Sequence, residues 1–231
     1  MNALFPLSKD QQASQLHLLR LVSQGLPVGG FAYSRGLEAV VAAGWVCNEE
    51  TARDWIQGTL HASIAHFDGA LLWRMAMALQ TGDRERFRSV NAWLAAGRES
   101  RELQREDKRM GEALLRLLVD LDVPAASAHP DVEMTFPGAF TIAAHHWNIA
   151  PIWALKGLMW IYVEGQVTAA IRLVPLGHTA GQRILTEATG WVEDAAIHAT
   201  SIGDDDVGNL VPALAMASAW HETQYSRLFQ S

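Results

Sequence analysis

The chain has 231 residues, 49% hydrophobic and 19% charged, with a formal net charge of −7. That balance fits an ordered globular domain able to bury its own core, and it excludes a general nucleic-acid binder, which carries a basic face. The single cysteine, Cys47, excludes an internal disulfide and a multi-cysteine zinc site.

Met1 to Leu7 lacks a basic start followed by an apolar run, so no signal peptide is expected. No apolar stretch reaches the roughly 20 residues of a membrane span, which makes the cytoplasm the expected compartment. Ser8 and Gln11 have capping-box spacing, and Leu16, Leu19, Val22 and Leu26 then trace one helical face. Pro27 to Gly36 holds three glycines and a proline and predicts a loop. A short helix over Leu37–Ala43 should stop at Gly44. Cys47, beside Trp45 and Val46, is expected to be a small buried residue.

Asn48 is placed to cap the next helix, with Glu49 and Glu50 in its first turn. Ile56, Leu60, Ile64, Phe67, Leu71 and Met75 recur at helical spacing, the core stripe of a long helix or a helix pair. Gly82–Asp83 marks a turn before a helix carrying Phe87, Val90 and Leu94. Arg98 to Arg109 is densely charged, with Arg98–Glu102, Glu102–Arg105 and Glu106–Arg109 at pairing distance along a helix. Such a run predicts a solvated face, with Leu103, Met110, Leu114, Leu117 and Leu121 beneath it.

Val123 to Gly138 contains three prolines and few periodic apolar residues, and is expected to be a long mobile loop. Pro151 suits the first turn of a helix. Ile161–Val174 is rich in Val and Ile, but Ala169, Ala170 and the lack of alternation favour helix. Gly177 begins another helix with Ile184, Leu185 and Ala188. Asp204-Asp205-Asp206 suits the N-terminus of the last helix, where Leu210, Leu214, Ala217, His221, Tyr225 and Leu228 form one stripe. The fold class that follows is all-α, a single-domain bundle of roughly eight to ten helices spanning residues 1–231.

No catalytic or metal centre emerges from these residues. Lys9, Lys108 and Lys156 all lie outside a phosphate-loop context, and Gly29–Gly30 alone is a turn signal. Ala32-Tyr33-Ser34-Arg35-Gly36 resembles a hydrolase elbow without the strand that such an elbow needs. His221-Glu222-Thr223-Gln224-Tyr225 begins like a zinc-protease helix but ends in tyrosine where the second histidine is required. His145 and His146 are adjacent, and His61 and His66 are five apart, poor spacings for joint ligation on an α-helix. Gln224 to Phe229 places two aromatics, an arginine and a leucine in a tail, a composition typical of interface hot spots.

Several blocks, in order, resemble the UreF family of urease accessory proteins. They are Leu26–Phe31 continuing through Ser34, Gly36, Leu37, Glu38 and Gly44–Val46; Arg98–Leu103; Arg172–Gly177 with Thr179–Gln182; Asp204–Gly208; and His221–Phe229. Ala32, Arg35, His178, Trp220 and Gln230 depart from the usual pattern. The resemblance implies an all-helical, usually dimeric, non-catalytic scaffold and GTPase regulator. Its implied partners are a UreD-like protein (also called UreH), the UreG-like GTPase and apo-urease, with no nucleic acid and no membrane. It implies no intrinsic cofactor, nickel and GTP being handled by the complex. Carried over by position, Tyr225, Ser226, Arg227, Leu228 and Phe229, in a tail about 221–231, should meet the UreD-like partner. Gly29, Gly30, Tyr33 and Glu38, with Arg172 and Gln182, are expected to engage the GTPase or position the tail. An independent nickel-binding carrier is the alternative.

Overall fold

The computed structural model describes residues 9–128, 133–209 and 211–231, and among them every regular element is helical. In chain order the α-helices are α1 Lys9–Val22, α2 Leu37–Ala42, α3 Glu49–Thr59, α4 Ala70–Thr81, α5 Arg84–Ala96 and α6 Arg101–Asp120. They continue with α7 Phe136–His146, α8 Pro151–Leu173, α9 His178–Ser201 and α10 Pro212–Thr223. Short 3-10 turns occupy Gly30–Ala32, Ala126–Ala128 and Asp204–Asp206. No helix among the described residues is long and apolar enough to cross a membrane.

The stripe from Ile56 to Met75 is buried along its whole length. It belongs to one continuous rod, because α3 passes into α4 through π-helical turns over Leu60–Gly69. Asn48 starts this rod with a reciprocal cap: its side chain accepts from the Thr51 backbone N–H at 2.9 Å, and Thr51 Oγ1 accepts from the Asn48 N–H at 3.1 Å. Asp83 and Ser100 cap α5 and α6 in the same way, each accepting from a backbone N–H three residues on. Helix α8 is the central element and packs against α1, α2, α3, α4, α7 and α9. Helix α10 lies across α2 and α6, which places three segments distant in sequence at one end of the bundle.

Five expectations need correction or fall outside the described residues. The first concerns Ser8 of the Ser8–Gln11 pattern and Leu210, both of which lie outside the described residues. Helix α1 buries Leu21 and packs Leu18 and Val22, while Leu16 and Leu19 are 67% and 64% exposed. The leucine-rich helix offered two stripes, and Gly157 on α8 decides between them, since a Cβ there would collide with Leu18 and Val22. Cys47 is exposed, because Val46 takes the inward position and the Cys47 N–H is held by Thr51 Oγ1 at 3.0 Å. The Asp204–Asp206 run caps no α-helix, since α10 starts only at Pro212; Asp204 instead pairs with Arg74 at 2.7 Å.

The fifth concerns Val123 to Gly138, whose described parts are packed. Val123, Ala126, Met134 and Phe136 are buried, and α7 begins inside the segment. Asn91 Oδ1 accepts from the Thr135 N–H and hydroxyl at 3.1 and 2.8 Å, and Asp107 Oδ1 accepts from the Phe136 N–H at 2.9 Å. Side chains from two neighbouring helices thus satisfy the otherwise orphaned donors at the start of α7.

Candidate functional site

The charged run before and within α6 is divided: Glu99, Arg101, Arg105, Lys108 and Arg109 form the expected solvated face, and the rest turns inward. Arg98, Glu102, Glu106 and Asp107 are all buried, and the carboxylates continue the apolar stripe of Leu103, Met110, Leu114 and Leu118 toward the helix N-terminus. Arg98 is held by two carboxylates. Its Nη1 and Nη2 donate to Asp68 at 3.0 and 2.7 Å, and its Nε donates to Asp107 at 3.0 Å. Asp68 comes from the π-helical turns, so this triad fastens the long rod to α6. A planar, forked guanidinium suits the task better than an ammonium would. Burial works against both charges of the Arg98–Asp68 pair, but their mutual attraction wins: Asp68 is held below its ordinary carboxylate range and Arg98 above its own. For Asp107 burial prevails and pushes its carboxyl upward, opposed by Arg98.

The second part of the network is built by α2 and α10 around His221, which has no solvent exposure. Its Nδ1 lies 2.6 Å from Glu102 Oε2 and its Nε2 lies 3.2 Å from Glu38 Oε2. Both ring nitrogens therefore face carboxylate oxygens. His221 thus joins the helices carrying Glu38 and Glu102. Access to Glu38 depends on the turn before it, where Arg35 has φ 51° and Gly36 φ 81°. At Gly36 a side chain would be strained by that φ and would also stand 3.1 Å from Ala217 Cβ on α10. Arg35, in the less favourable left-handed position for a non-glycine, is secured by donating from Nε to Glu106 Oε1 at 2.6 Å.

The helix ends at Thr223, so Tyr225 and Leu228 do not extend its stripe. The tail turns back instead and lies over the carboxylates. Glu38 accepts from the Leu228 and Phe229 backbone N–H groups at 2.6 and 2.9 Å, and Arg227 donates to Glu102 at 2.6 Å. Ser231 Oγ donates to Glu106 at 2.6 Å, and the Ser34 N–H and hydroxyl both donate to the Ser231 carbonyl. Phe229 is buried under the Arg172 guanidinium, 4.7 Å from the ring centroid. A cavity of about 100 Å³ adjoins the network, lined in part by Arg35, Asp68, Glu106, Tyr162, Gln166 and Phe229. Burial pushes the Tyr162 phenol up to about 12, so it stays protonated, 2.6 Å from the Thr59 hydroxyl.

Some of the residues expected from the sequence meet here. Glu38, Arg227, Phe229 and Arg172 are bonded or packed together. Gly29 (φ 76°) and Gly30 shape the turn that leads to Tyr33, which packs on the core. Tyr225 is fully exposed, Leu228 is 53% exposed, and Ser226 is exposed with its carbonyl accepting from Gln224. Gln182 stands exposed on α9, and among the described residues no hydrogen bond joins its side chain to the tail. Ser34 is buried with its hydroxyl committed to the tail, which leaves no elbow nucleophile. Trp220, exposed at its edge, packs T-shaped on Trp45 at 5.3 Å.

The sequence reading missed Asp68, Arg98, Glu102, Glu106, Asp107 and His221 as a unit. The available signal was the α6 stripe itself: counting back by three and four from Leu118 and Leu114 passes through Asp107, Leu103, Glu106 and Glu102.

Comparison with known proteins gives one consistent result. The family model UreF matches residues 46–189. The urease accessory protein UreF 2 of Brucella anthropi is 58% identical over 217 residues, 94% of this chain and 96% of that protein. UreF of Alkalilimnicola ehrlichii is 43% identical, covering 94% of this chain and 96% of that protein. UreF of Chromohalobacter salexigens is 39% identical, covering 98% of each. The family match stops short of the tail, whereas the last of these alignments spans nearly the whole chain.

Proposed function

Because the chain belongs to the UreF family of urease accessory proteins, we propose that it serves urease maturation in the cytoplasm as a non-catalytic scaffold. In this reading it works as a dimer with a UreD-like protein and a UreG-like GTPase, restrains or promotes GTP hydrolysis on that GTPase, and supports nickel insertion into apo-urease. Nickel and GTP are the cargo and fuel of the complex. The observation that carries the reading is the placement of Tyr225 and Leu228, exposed to solvent on a tail whose backbone is anchored by the buried Glu38 carboxylate. Exposed aromatic and aliphatic side chains on a fixed backbone need little ordering to bind, which favours a contact surface. Trp45, in the turn after α2, and Trp220 on α10 offer further exposed aromatic surface.

The Tyr225→Ala/Leu228→Ala double variant tests this without disturbing the core. Co-purification with the UreD-like partner should fall at least about tenfold, as expected of lost hot-spot side chains. The urea midpoint should stay at the wild-type value. An undiminished complex would remove the tail tip from the interface. The alternative, an independent nickel carrier, predicts submicromolar nickel binding by the isolated chain, which calorimetry reads directly.

A further inference from the structure

Away from the tail, two histidines face each other across the seam between the π-helical turns and α9. His66 Nε2 and His198 Nε2 are 3.0 Å apart, with ring centroids 4.8 Å apart and planes inclined at 61°. The π-helical backbone also changes the relation of His66 to His61. On an α-helix residues five apart point about 140° away from each other. Bonding of the i→i+5 kind, seen where the Ala70 N–H donates to the Ala65 carbonyl, returns residues five apart to one face. His61 accordingly lies within electrostatic reach of His198 and of Asp194, one turn earlier on α9.

The spacing is informative. Two imidazole nitrogens bound to one cation at about 2.0–2.1 Å, in neighbouring coordination positions, stand about 2.9–3.4 Å apart. The observed separation falls in that interval, so a metal ion can replace the shared proton with little movement of either ring. Burial, and next the charge of His198, hold His66 below the ordinary histidine value, against a smaller opposing effect of the Asp206 backbone. Burial does the same to His61. Both rings are thereby biased toward the neutral form that ligates metals. His66 Nδ1 is buried without a close hydrogen-bond partner, although the Asp206 backbone favours the protonated ring. His198 is exposed, which gives an ion a way in.

We propose that His66 and His198 form a solvent-accessible two-imidazole site for a divalent first-row transition-metal cation, with His61 and Asp194 at its edge. Imidazole nitrogens suit Ni²⁺, Zn²⁺ and Cu²⁺ and discriminate against Mg²⁺ and Ca²⁺. Among the described residues no set of three or more histidine, cysteine or carboxylate side chains is placed to hold a metal, so water completes the coordination. Such a site binds weakly and exchanges quickly, unlike a closed structural site. It stands independently of the maturation role.

The test is a titration of the full chain, labelled with ¹⁵N at histidine, with paramagnetic Ni²⁺. The ring signals of His66 and His198 should broaden first, before those of the exposed His145 and His146. Calorimetry with Zn²⁺ should show affinity falling about tenfold or more in His198→Ala and unchanged in His146→Ala. His198 is exposed, so its removal leaves the core intact; His66→Gln gives a second measurement from the other side of the seam. Wild-type affinity in both His198→Ala and His66→Gln, or broadening confined to His145 and His146, overturns the proposal.

Discussion

Two clusters of arginine and aspartate hold this fold, and they differ in almost everything except composition. Around Arg98 the partners Asp68 and Asp107 are buried, both Asp68 oxygens and Asp107 Oδ2 meet the guanidinium, and Asp107 Oδ1 accepts from the Phe136 N–H. Around Asp204, Arg74 and Arg86 converge at 2.7 and 3.4 Å on a carboxylate whose side chain is 62% exposed. Arg74 also donates to the Ala70 and Ile202 carbonyls, so it ties the turn after α9 to α4 whether or not Asp204 is charged. Water already solvates Asp204 and leaves little for pairing to add. Around Arg98 water is excluded, and each charge is tolerable only while the others remain.

The most severe way to break this comparison is Arg98→Ala. It strands Asp107, leaves Asp68 with only the Arg35 charge in reach, and should destabilise the protein by about 3–5 kcal/mol, read from urea denaturation. A loss under about 1 kcal/mol would show that water replaces the guanidinium, and the two clusters would then be alike.

Acidification separates them more gently. Asp68 is held below its ordinary value, so its contribution is present above about pH 3.9 and is lost as pH falls through the lower folded value. Asp107 is shifted upward, so its ionised form costs stability near neutrality and protonation relieves that cost. His61 and His66 are shifted downward; their contribution is complete above about pH 6.5 and declines below it. The denaturation midpoint should therefore begin to fall between about pH 6.5 and 5, ahead of the loss at Asp68. A His61→Gln/His66→Gln variant should flatten that first slope, and a wild-type profile level down to pH 5 would contradict the assignment.

The smallest expected effect is that of Asp204→Asn. Its denaturation midpoint should coincide with wild type at neutral pH and at high salt alike. A clear drop would place this surface cluster in the same class as the buried one.

The helical stripes were legible because burial and periodicity coincide. Ile56 to Met75 needed only counting, and Asn48, Gly44, Pro151 and Gly177 mark their helix ends by local chemistry alone. The π-helical turns were not legible, since nothing in the order of residues distinguishes i→i+5 from i→i+4 bonding, and so His61 and His66 read as diverging. The charged network was hidden for a different reason. Local rules assign Glu102, Glu106 and Arg98 to water; the return of α10 and the tail from more than a hundred residues away covers the two glutamates, and Asp68 on the π-helical turns takes up Arg98. The tail itself read as helix because Tyr225 and Leu228 continue the spacing of Leu214, Ala217 and His221, whereas hydrogen bonds to Glu38 and Glu106 set its path.

That tail also imposes an order of assembly. Its contact with Glu38 closes a loop in which donor and acceptor are 190 residues apart in sequence. During synthesis Glu38, Glu102 and Glu106 leave the ribosome long before residues 227–231 exist, and until then only Arg35 and His221 can share their oxygens with water. Contacts of such sequence separation form late, after the local helices have reduced the cost of closure. The docked tail is therefore a late cover, and the carboxylate oxygens of Glu38, Glu102 and Glu106 that it takes stay open until residues 227–231 have been made.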